Sequence, residues 1–207
     1  MSATTAQADA LMREAFPLHQ AGRFEEAEQL YQRILELAPD YADAHYLLGV
    51  LARDRGDLDG AMRQVRQAVR FKNDEPAFHI TLAECYVAAR MWDEAIAYFE
   101  NALRLDREAP EAWNNLGFAF REKNQLEDAL RCFEEAVARA PAFAPALNNL
   151  GNALRHTGDV DRGLEVLQRA CAAAPDNSDF ASNYLFTLNA SPRHGREEVY
   201  RAHVAFD

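Results

Sequence analysis

This sequence predicts an all-α chain of tandem antiparallel helix pairs, and three features predict it. Small residues recur every 34 positions (Ala27, Ala61, Ala95, Ala129, Gly163). Large apolar residues follow them in the same register (Tyr31, Val65, Phe99, Phe133, Leu167), and Ile34, Ala68, Ala102, Ala136 and Ala170 come three positions later. Such spacing places all three sets on one stripe of a helix. A third feature is a turn signal ahead of each of these helices. Gly22, Gly56 and Gly158 mark a position that needs a left-handed residue, with Arg90 and Asn124 as departures.

Taken in order, each unit opens with a first helix whose packing face is set by Leu48, Leu82, Leu116, Leu150 and Tyr184, followed by Gly49, Ala83, Gly117, Gly151 and Leu185. Two helices approach closely only where side chains are small, so these positions face the partner helix. After the turn an apolar residue enters (Phe24, Leu58, Trp92, Leu126, Val160), and an acid always follows it: Glu25, Asp59, Asp93, Glu127, Asp161. An acid there meets the positive end of the helix dipole. Pro39, Pro141 and Pro175 close their units, whereas Pro76 and Pro110 sit in the first turn of the next helix. Five full pairs and a sixth first helix are expected over residues 8–190, preceded by a flexible stretch 1–7 and followed by a turn and capping helix over 191–207. Glu14 at a leucine position and Pro17 inside the leading helix make the first unit the weakest, with a kinked or short helix expected.

The run Ala112-Trp113-Asn114-Asn115-Leu116-Gly117, with Ala129, Phe133, Ala136 and Pro141 downstream, resembles the tetratricopeptide repeat. That resemblance implies a right-handed superhelix in which each pair buries its apolar face only against its neighbours. It also implies a protein-binding role. Residues 181–189 and 197–203, joined by Ser191-Pro192-Arg193-His194-Gly195, resemble the junction of bacterial O-linked N-acetylglucosamine transferase-like proteins, where repeats hand over to a catalytic domain. The resemblance implies a substrate-recognition region without the catalytic residues.

Composition narrows the function. Of 207 residues, 22 are Lys or Arg and 33 are Asp or Glu, a net charge of -11. Nucleic acid and anionic membrane surfaces are therefore not expected as partners, because both need clustered cations. No apolar run follows Met1–Gln7 and no membrane span is readable, so a cytoplasmic location is expected. Cys85, Cys132 and Cys171 have no C-x-x-C spacing and read as reduced, packed thiols. Neither a phosphate-cradling glycine loop nor a nucleophile elbow occurs, so the chain is expected to be non-catalytic and to need no cofactor. His45 and His79 are 34 apart, a spacing that separates them by about 10 Å on adjacent helices and prevents shared metal ligation.

The binding signal is asparagine. Asn115, Asn149 and Asn183 are 34 apart, and Asn114, Asn148 and Asn152 enrich the same face, while Thr81 ends the ladder one period earlier. Amides offer both donor and acceptor, which suits an extended peptide main chain. The same spacing also fits asparagines that satisfy helix termini or neighbouring carbonyls. Glycosyltransferase superhelices of the family resembled here carry a similar ladder. Earlier units present Met12, Phe16, Tyr46, Leu47, Val50 and Ile80, an apolar counterpart suited to a folded partner or helix, as in an assembly scaffold. In the last helix Val199, His203 and Phe206 form one stripe, expected to fold back or to join two copies.

Overall fold

A computed structural model describes residues 3–191, 193 and 195–206, and every regular element in it is an α-helix. The chain divides into two compact units, Met1–Arg107 and Glu108–Asp207. The first holds α1 (Ala3–Gln20), α2 (Phe24–Leu37), α3 (Ala42–Asp54), α4 (Leu58–Phe71), α5 (Pro76–Ala88) and α6 (Trp92–Leu105). The second holds α7 (Pro110–Glu122), α8 (Leu126–Arg139), α9 (Ala144–His156), α10 (Val160–Ala173), α11 (Ser178–Ala190) and α12 (Arg196–Phe206).

The 34-residue stripes are buried. Tyr31, Val65, Phe99, Phe133 and Leu167 have no solvent exposure, and neither do Ala27, Ala61, Ala95 and Ala129. In the first unit, Ala8, Ala15, Ala27, Tyr31, Ile34, Ala44, Leu48 and Leu51 form one core. In the second, Ala129 and Phe133 pack with Leu150, Ala153 and Leu154. The glycines of the first helices sit where a side chain has no room: a Cβ on Gly49 would lie 2.4 Å from Val65 Cγ2, and one on Gly151 would lie 2.5 Å from Leu167 Cγ.

The five turns inside the pairs share one geometry. Gly22, Gly56, Arg90, Asn124 and Gly158 all have positive φ, and the amide that follows each returns to a carbonyl five residues earlier, as Met91 N does to Tyr86 O at 2.8 Å. Arg90 and Asn124 thus adopt the glycine conformation without being glycine, held there by the same pair of end bonds. In two of the helices that follow, α4 and α10, an acid just before the helix caps it, whereas Arg23, Met91 and Gln125 stand there in α2, α6 and α8 and make no side-chain cap. Asp57 accepts from Gly60 N at 2.9 Å and Asp159 from Arg162 N, while Asp59 and Asp161 lie in the first turn and contribute to the dipole.

The first unit differs from expectation at its leading helix. α1 begins at Ala3, ahead of the residue-8 boundary, and runs for 18 residues through Pro17, so it is not short. Pro17 has no amide to donate, while Ala8 and Ala15 are buried in one core with Ala27 and Tyr31 of α2, and Glu14 is exposed. At the other end, Val199 of α12 is half-buried and Tyr200 and Val204 are exposed. Pro192, His194 and the side chains of His203 and Phe206 lie outside the described residues.

Candidate functional site

The two ends of the expected binding surface fall in different units. Phe16, Tyr46 and Thr81 belong to the first unit, and every asparagine of the ladder belongs to the second. In the first, Phe16 on α1 is 46% exposed. Tyr46 on α3 is half-buried, stacked on Phe78 of α5 with centroids 4.6 Å apart. Thr81 is buried, and its hydroxyl donates to Tyr46 Oη at 3.3 Å. Thr81 therefore ties α5 to α3 and is not presented at the surface. Met12 and Leu47 pack against the core.

In the second unit the asparagines form two relays. Asn149 Nδ2 donates to Asn114 Oδ1 at 2.9 Å, and Asn114 Nδ2 donates onward to Asn115 Oδ1 at 3.2 Å. Asn148 Oδ1 accepts from Asn183 Nδ2 at 2.9 Å and from Asn152 Nδ2 at 3.5 Å. The bonds between helices join residues 35 apart, the same offset as Thr81 to Tyr46. The ladder thus partly satisfies itself, by amide pairing between adjacent first helices rather than by the helix termini. Asn114 is buried and belongs to the packing, whereas Asn115, Asn148, Asn149, Asn152 and Asn183 remain half-exposed.

Each amide carries two N–H groups and an oxygen with two lone pairs, so the relays leave capacity over. Among the described residues the Nδ2 groups of Asn115 and Asn148 make no side-chain bond, and neither do the Oδ1 atoms of Asn149 and Asn183. Two donor groups and two acceptor groups stand on α7, α9 and α11. Adjacent packed helices lie about 8–10 Å apart, and an extended peptide advances about 3.3 Å per residue, so each helix meets about every third residue of a peptide laid across them.

Arginines were missed in the sequence reading, although their register was visible: Arg53, Arg121 and Arg155 differ by multiples of 34. Arg53 donates to Glu84 Oε2 of α5 at 2.7 Å. Burial pushes the Glu84 carboxyl up, and the Arg53 charge opposes that rise. Arg121 lies over the Phe118 ring and contacts Glu122, and Arg155 lies over Phe186. The two histidines bind the loops that precede their helices. A carbonyl can only accept, so His45 Nε2 donates to Pro39 O at 3.0 Å and His79 Nε2 donates to Asn73 O at 2.9 Å. Among the described residues no group of three or more His, Cys, Asp or Glu is placed to hold a metal ion, and no helix is long and apolar enough to cross a membrane. The three cysteines are buried thiols outside any disulfide, and burial raises the thiols of Cys85 and Cys171.

Consecutive antiparallel helix pairs closed by left-handed turns define a helical-repeat module for protein interaction. Three family models, each described as tetratricopeptide repeat, match residues 18–85, 75–142 and 118–178, and the chain belongs to that family. It is 31% identical over 75 residues to the RNA polymerase-associated protein CTR9 of Caenorhabditis elegans, a match spanning 36% of this chain and 6% of that protein. Among solved structures it is similar to PilF of Pseudomonas aeruginosa, with a TM-score of 0.83 at 16% identity over 99% of this chain and 90% of that one. It is also similar to YrrB, described as a TPR protein with an unusual peptide-binding site, with a TM-score of 0.73 at 22% identity over 87% and 97%. PilW, a type IV pilus biogenesis factor, has a TM-score of 0.78 at 17% identity over 96% and 91%. At these identities the structures share the fold.

Proposed function

We propose that this chain is a non-catalytic module that binds an extended peptide segment across α7, α9 and α11. The observation that carries the reading is the set of amide groups left over by the relays: half-exposed donors on Asn115 and Asn148, and half-exposed acceptors on Asn149 and Asn183. These complement the alternating N–H and C=O groups of a main chain and make no demand on its side chains. The description of YrrB as peptide-binding supports the same use of the fold. A narrower reading, in which the peptide is a glycosylation substrate of an O-linked N-acetylglucosamine transferase-like protein, rests on the junction resemblance of residues 181–203 alone.

The test is the triple variant Asn115→Ala, Asn149→Ala, Asn183→Ala against a panel of unrelated peptides. Each lost bond is worth roughly 0.5–1.5 kcal/mol net, so affinity should fall by about tenfold to a thousandfold, and by similar factors for all. Unchanged affinities in fluorescence polarisation, with helicity intact by circular dichroism, refute the proposal. A second reading, an assembly scaffold that docks a folded partner on the first unit, draws on the exposed aromatic rings of Phe16, Phe24 and Phe71. It predicts pull-down of folded partners that survives the triple variant.

A further inference from the structure

The arginine near the end of a first helix repeats in register, but its partner changes. From Arg53, a step of 31 residues arrives at Glu84 on α5, and the two form an ion pair at 2.7 Å. From Arg155, the same step arrives at Phe186 on α11, and the guanidinium stands 4.9 Å from the ring centroid. Among the described residues no carboxylate pairs with it. Its Nη2 lies 3.2 Å from His156 Nε2, and its Nε is buried without an acceptor. A buried N–H left unpaired is costly, and such groups are few in native proteins. Arg121 differs, since Glu122 already stands 3.1 Å from it.

The platform adjoins the amide face. Asn152 precedes Arg155 by three residues on α9, and Asn183 precedes Phe186 by three on α11, so each pair shares a helix face. Phe186 is 62% exposed, which leaves the ring open to a ligand. An aromatic ring beneath a guanidinium orients its N–H fork without neutralising it, and that fork matches a carboxylate. We propose that Arg155 and Phe186 form a side-chain subsite beside the amide row, and that its occupant is the carboxylate of an Asp or Glu side chain in the bound extended peptide. The inference rests on the peptide-binding reading above. The first unit supplies its own ligand for this position in Glu84; the second has a phenyl ring there and takes the acid from outside. Because the chain carries a net charge of -11, its general field disfavours acidic ligands, so a preference for one reports a local site.

The experiment is an array of N-acetylated, C-amidated dodecapeptides, randomised over uncharged residues with one position scanned, probed with the full chain. Asp or Glu at one position should raise binding about tenfold over Asn or Gln, the order expected of a charge-assisted bond. Phe186→Glu places an acid where the first unit has Glu84, and should abolish that preference while leaving uncharged peptides within about twofold. Arg155→Gln should do the same. Since Arg155 is partly buried and its variant can fail to fold, the exposed Phe186 substitution keeps the test decisive. Acid and amide bound equally by the native chain, or an acid preference that survives Phe186→Glu, each overturns this inference and leaves main-chain binding standing. An array on which no peptide binds overturns both.

Discussion

Replacing Asn149 by alanine and by aspartate separates the structural and the binding roles of that side chain. In the native unit Asn149 supplies the hydrogen bond to Asn114 Oδ1 at 2.9 Å, and Asn114, 8% exposed, passes its own N–H to Asn115. Alanine removes the donor and leaves a buried carbonyl without one, a cost of about 1–3 kcal/mol. Better helix propensity returns about 0.6 kcal/mol, so the net loss is roughly 0.5–2.5 kcal/mol. Aspartate keeps the size but cannot donate. The relay then reverses: Asn114 turns over, donates to the new carboxylate and accepts from Asn115 Nδ2, a group with no side-chain partner in the native unit. Two bonds are kept and one becomes charge-assisted, so stability should change by less than about 1 kcal/mol. Peptide affinity should fall about two- to tenfold in the alanine variant, which lacks the acceptor. The measurement is hydrogen exchange across α7 to α11, because one unfolding free energy is poorly defined for a repeat array. The side-chain amide resonances of Asn114 and Asn115 report the reversal. Equal destabilisation by both substitutions, or none by alanine, would show that the relay does not hold these helices together.

Gly151→Ala should destabilise more than Gly117→Ala: the new Cβ would meet Leu167 Cγ at 2.5 Å and Gly163 O at 3.0 Å, whereas at Gly117 the three nearest atoms all belong to the Phe133 ring. A ring can shift more readily than backbone, and the chain itself carries a buried Ala83 and Phe99 one 34-residue period before Gly117 and Phe133; overpacking costs about 1–3 kcal/mol against about 1 kcal/mol of helix propensity gained. Exchange that rises equally in α7–α8 and α9–α10 would contradict this. Tyr31 is pushed up to about 12 by burial, and Tyr41 to about 12 by burial and by its hydrogen bond to Asp9. Between pH 10 and 12 the unfolded chain loses these protons first, so stability is full below pH 10 and falls as pH rises to 12. Tyr31→Phe should flatten that fall in urea titrations, and an unchanged slope counts against it. If α12 joins two copies through its exposed Tyr200 and Val204, Val204→Glu should lower the mass seen by light scattering, and a native chain that is monomeric at high concentration excludes the contact.

The helix pairs were legible because each depends on local chemistry. The small-then-large stripe of Ala129 and Phe133, the left-handed position at Gly56 and the proline at Pro110 each act within one pair, and a 34-residue register repeats them. Pro17 shows the limit of local reasoning: α1 runs on through it for 18 residues, with Ala8 and Ala15 buried in the core. The asparagine row was visible as spacing, since a repeat displays equivalent positions at equal intervals. Its bonding was not, because the contacts run 35 residues apart, one position out of register, from Asn114 to Asn149 and from Asn148 to Asn183. Nor could spacing show that Thr81 turns inward to Tyr46, or that Arg53 finds a carboxylate where Arg155 finds a ring. Sequence by itself determined which faces of each helix are buried, since hydrophobic burial follows a 3.6-residue period that any stretch of chain reveals. Tertiary structure alone decided which polar groups are consumed in packing and which stay available, because a hydrogen bond forms only when two groups from separate helices come within about 3 Å at a favourable angle.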